Sequence, residues 1–105
     1  MKQKNKSENV KTTILDILKE AGISSEMEAL KNQAWMISLA KIQKYQNEIN
    51  QFQKKHQTDF EEFENKLSNQ KNSENFETED DYLDWKFAWE ALKIWKARKD
   101  ILEHA

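Results

Sequence analysis

Apolar positions in this chain recur at the three- and four-residue intervals of a helix, most densely after Asp80. Wound at about 100° per residue, Tyr82, Trp85, Trp89 and Leu92 make one stripe. Leu83, Phe87, Ile94 and Ile101 make a second, and Ala88 with Trp95 a third. Only the narrow sector of Lys86, Glu90, Lys93 and Ala97 is suited to water. A helix greasy on three sides needs more cover than one neighbouring helix gives.

The same periodicity organises the rest. Val10, Ile14, Ile17, Leu18 and Ala21 predict a helix from Val10 to Ala21, closed by Gly22, where a residue without Cβ takes the left-handed cap at least cost. Ser25 and Glu28 have capping-box spacing and open a second helix reaching about Lys55, roughly 45 Å long at 1.5 Å per residue. Ala34, Trp35, Met36, Ile37, Leu39, Ala40 and Ile42 are apolar nearly all round, which predicts a sandwiched first half. Ile42, Tyr45, Ile49 and Phe52 form a one-sided seam behind it. Thr58 or Asp59, with Glu61 or Glu62 three residues on, caps a shorter helix carrying Phe60, Phe63 and Leu67. Residues 68–77 read as a loop, and Thr78 caps a fourth helix running to about Leu102. The expected fold is all-α, a long antiparallel helical hairpin with two shorter helices packed on it, a three- to four-helix bundle. Residues 1–9 read as a flexible polar tail and 10–105 as a single helical domain.

Composition strengthens that picture. With no proline and one glycine in 105 residues, strands would have nowhere to turn. The absence of cysteine excludes a disulfide scaffold, a thiolate nucleophile and a cysteine zinc site. No apolar run nears the roughly 20 residues of a membrane span, and the start has no signal-peptide core, so a cytoplasmic protein that does not enter membranes is expected. Net charge is −2, but ten carboxylates and two lysines fall in residues 58–84. Such a segment repels nucleic acid and attracts basic protein surface.

Candidate chemistry is sparse. Glu61 and Glu64, then Glu77 and Asp80, match the carboxylate spacing of all-α nucleoside triphosphate pyrophosphohydrolases, in which four acids hold Mg²⁺ against phosphates. That Mg²⁺-dependent enzyme is the alternative reading. Asp80, Asp81 and Asp84 also reproduce a short metal-binding run of isoprenoid synthases, but acids in a first helical turn need only the helix dipole to explain them. His56 at a polar corner and His104 near the C-terminus read as solvated, and a di-iron bundle would need Glu-x-x-His pairs that neither supplies. No catalytic, cofactor or metal site is expected. Lysines 2, 4, 6 and 11 offer a thin basic arm, but a helix-turn-helix would put Trp35, Met36, Ile37 and Leu39 where polar base readers belong, so nucleic acid is not an expected partner.

What remains is surplus apolar surface, and Trp and Tyr are enriched at interface hot spots. Residues 58–64 (Thr-Asp-Phe-Glu-Glu-Phe-Glu), the acidic loop, 79–92 (from Glu79 to Leu92) and 22–30 (from Gly22 to Leu30) resemble small all-helical prokaryotic antitoxin-like proteins encoded beside a putative toxin. Gln57 departs from that pattern, standing where glycine is expected, which predicts a longer or more helical corner. The resemblance implies a non-enzymatic protein that neutralises a basic toxin from a neighbouring gene by occupying its surface. The expected partner-binding residues are Trp85, Phe87, Trp89, Ile94 and Trp95 as apolar anchors and Glu79, Asp80, Asp81 and Asp84 as charge partners, some of the aromatics being core instead. A homodimer with a structural role is a further alternative.

Overall fold

The computed structural model describes residues 6–69 and 76–104. Its elements are α1 (Lys6–Glu20), α2 (Glu26–His56), α3 (Phe60–Asn69) and α4 (Phe76–Glu103), and no strand occurs among the described residues. The chain is all-α, as expected, and the two long helices pack against each other. It divides into two compact units, one ending at Ala34 and one beginning at Trp35.

In the first unit α1 starts at Lys6, four residues ahead of the expected Val10, so residues 6–9 are helix and not tail. The rest of the proposed tail, with Lys2 and Lys4, lies outside the described residues. α1 ends as the sequence predicts. Gly22, at φ 82°, lets its N–H reach the Lys19 carbonyl at 3.0 Å while the Ile23 N–H reaches Leu18 at 2.8 Å. These paired bonds satisfy carbonyls that the last helical turn would otherwise leave open. The capping box at the start of α2 also forms: Ser25 Oγ accepts the Glu28 N–H at 3.0 Å. The Glu28 carboxylate reaches back to the backbone N–H and hydroxyl of Ser24, one residue earlier than the ideal box, both at 3.1 Å.

The second unit holds the core. Tyr45 and Ile49 of α2, Phe60 and Phe63 of α3, and Trp85, Ala88 and Leu92 of α4 form one buried cluster. Ile42, Phe52, Tyr82, Trp89, Ala91 and Trp95 close around it. The α2 seam read from the 3-4 spacing is thus the seam used. α3 is fixed by Asp59, whose Oδ1 accepts the Glu62 N–H at 2.8 Å, and by the Thr58 hydroxyl donating to Glu62 Oε2 at 2.7 Å. The α2–α3 corner is short, not lengthened: Gln57 itself adopts the left-handed conformation at φ 53°. A non-glycine residue there carries a steric cost.

Two further points differ from the sequence reading. α4 begins at Phe76, so Thr78 lies inside the first turn and is not the cap, and the expected loop overlaps helix at both ends. Its centre, residues 70–75, lies outside the described residues. In α2, Met36 and Ile37 are exposed and Ser38 is the buried position, so the stretch is not sandwiched on both sides.

Candidate functional site

The outward face of α4 stands opposite its core face. At about 100° per residue, Leu83, Phe87, Ile94 and Ile101 lie within about 20° of the direction opposite Trp85. The exposures follow: Trp85 is 0 % exposed, whereas Leu83 is 61 %, Phe87 63 %, Ile94 51 % and Ile101 69 %. Phe87 meets Tyr45 edge-on, with ring centroids 6.0 Å apart. Four large apolar side chains are thus spaced along one exposed helix face.

Trp85 is one of the named aromatics that belong to the core. It is the centre of an aromatic cage, with ring centroids 5.7 Å from Phe52, 5.8 Å from His56, 5.6 Å from Phe60 and 5.0 Å from Phe63. Its indole N–H is buried and has no hydrogen-bond acceptor. Trp89 and Trp95 are half-buried against the core, and each carries a cation over its ring: Lys93 Nζ is 3.2 Å from the Trp89 centroid and Arg98 is 4.7 Å from that of Trp95. Of the five expected anchors, Phe87 and Ile94 are the exposed pair. Leu83 and Ile101, left out of the anchor set, join them; their spacing was visible, but nothing in the sequence said which stripe faced the core.

The acids divide similarly. Glu79, Asp80 and Asp84 are exposed, while Asp81 is engaged inside the second unit, its side chain 14 % exposed. Asp81 Oδ2 lies 2.7 Å from Lys55 Nζ and 2.8 Å from His56 Nε2. Burial alone would push its carboxyl up, but hydrogen bonds from Lys55 and His56 outweigh that and hold it below the ordinary 3.8. Lys55 also meets Glu77 Oε1 at 3.0 Å, and these two carboxylates push its ammonium up. Asp81 is an internal clamp between the end of α2 and the start of α4.

The pyrophosphohydrolase spacing does not become a site. Among the described residues no three His, Cys, Asp or Glu side chains gather into a group able to hold a metal ion. Glu64 instead accepts the Tyr82 hydroxyl at 2.7 Å, which pushes that phenol up from its usual range, and Glu77 is held by Lys55. No described helix is long and apolar enough to cross a membrane.

The first unit has its own apolar surface, an open groove of about 670 Å³ lined by Val10, Ile14, Leu15, Leu18, Ala29 and Leu30. No residue of α1 is buried, so the stripe expected to pack inward is only partly covered. The chain matches no protein-family model, no curated protein and no solved structure.

Proposed function

We propose that this chain is a non-enzymatic protein-interaction module of the antitoxin-like kind, acting in a prokaryotic cytoplasm, with the outward face of α4 as its docking surface. The observation that carries this is the row of Leu83, Phe87, Ile94 and Ile101, each more than half exposed along one helix face. The adjoining carboxylates Glu79, Asp80 and Asp84 give the N-terminal end of that face a negative field, which steers a basic partner and raises its association rate. The partner in this reading is the basic toxin encoded beside it.

The test is co-purification with the product of the adjacent gene. Phe87→Asp should abolish the complex while helical circular dichroism persists, because the ring is mostly in solvent before docking. About 63 % of an aromatic surface near 200 Å² is worth about 3 kcal/mol at 25 cal/mol per Å². A complex indifferent to that carboxylate would remove the α4 face from the reading.

A further inference from the structure

We infer that, when no other protein occupies it, the outward stripe of α4 is covered by the same stripe of a second copy of this chain, the two α4 helices running antiparallel. The inference rests on the docking reading and names what covers that face at rest.

The outward positions Leu83, Phe87, Glu90, Ile94, Ala97 and Ile101 are separated alternately by four and three residues, and all six are exposed. That alternation is the seam of a two-helix coiled coil, about 27 Å long here. Laid antiparallel about a midpoint at Leu92, the seam sets Phe87 against Ala97 of the second copy, Leu83 against Ile101 and Glu90 beside Ile94. The largest ring meets the smallest side chain. The midpoint residue Leu92 is in the monomer core, on the far side of the helix, so nothing needed inside is taken from it.

Charge chooses the direction. One edge of the seam carries Asp84, Ala91 and Arg98, the other Lys86, Lys93 and Asp100. In an antiparallel pair each edge meets itself, so Asp84 faces Arg98 of the second copy and Lys86 faces Asp100, each twice by symmetry. Only Lys93 meets its own like; its ammonium lies over Trp89, and Arg98 and Lys86, which lie over Trp95 and Tyr82, swing outward to pair across the seam. In a parallel pair opposite edges meet, which sets Lys93 against Arg98 and leaves Lys86 opposite Ala91 with no acid to answer it. Glu90 is the one polar residue on the seam and weakens it, which suits a contact that a heterologous partner displaces.

The experiment is sedimentation equilibrium on the intact chain across micromolar to millimolar concentration, with circular dichroism of each variant. The wild type should dimerise with concentration. Asp84→Arg and Arg98→Asp, each alone, should weaken the dimer about tenfold or more, since each turns both cross pairs repulsive. An equimolar mixture of the two variants should associate as strongly as wild type, because charge is restored at both pairs of the mixed dimer. Glu90→Leu should tighten it. A chain monomeric throughout, single reversals without effect, or a mixture no stronger than its components would each overturn the proposal. Failure here with Phe87-dependent capture of the neighbouring gene product intact would leave the docking reading standing. A rescued dimer without that capture would do the reverse.

Discussion

Replacing Asp81 with Asn removes the charge that ties the end of α2 to the start of α4 while keeping the side chain's shape. Asp81 is 14 % exposed and accepts from two cationic or imidazole donors at 2.7 and 2.8 Å. Charge-assisted bonds in such a setting are worth more than surface pairs, but Lys55 is half in water and its arm adds little. Asn also keeps one acceptor. The expected loss at neutral pH is therefore about 1 kcal/mol, or about 4–8 °C in midpoint for a chain of this size. The pH dependence fixes the cause. Because the folded carboxyl lies below its ordinary 3.8, its contribution is complete above that value and is lost as pH falls through the depressed folded value. Urea unfolding of wild type and Asp81→Asn, followed by circular dichroism from about pH 7 down to about pH 3, should show a gap that narrows in acid. A gap constant across that range, or none at neutral pH, would refute the clamp. The same variant should lose partner capture only as far as it loses folded protein, whereas Asp80→Asn, at an exposed site, should leave stability unchanged.

The corner offers a gain. Gln57→Gly removes a left-handed penalty of about 1–2 kcal/mol and gives back about half in unfolded-chain entropy, so thermal unfolding should shift upward by a few degrees; a downward shift would contradict the geometry at φ 53°. Trp85→Ala should cost about 3–5 kcal/mol by opening the aromatic cage, and near-ultraviolet circular dichroism should collapse with it. Leu83→Ala, two residues away on the outward face, should cost no more than about 0.5 kcal/mol in the same urea titration at a concentration that keeps the chain monomeric.

Much of the fold was legible because its signals are local. The Gly22 cap, the Ser25 N-cap and the Ile42–Tyr45–Ile49–Phe52 seam each follow from a few neighbouring residues and formed as read, and of Thr58 and Asp59 it is Asp59 that caps α3. The α4 site was legible only in part. Periodicity gave its stripes, but deciding which faced inward required knowing that α3 places Phe60 and Phe63 on the Trp85 side. The engagement of Asp81 was not legible for a related reason: Lys55 and His56, which meet it, lie some 25 residues earlier in the chain, beyond any local pattern. Thr78 was read as a cap because its residue type is right, yet α4 starts two residues sooner.

The indole proton of Trp85, enclosed by rings and offered no acceptor, is a built-in clock. In heavy water it should trade its hydrogen for deuterium only when the rings of Phe52, His56, Phe60 and Phe63 part from it, far more slowly than an exposed indole. Its nuclear resonance would then report the free energy of that opening, with the faster exchange of the outer indoles as the reference.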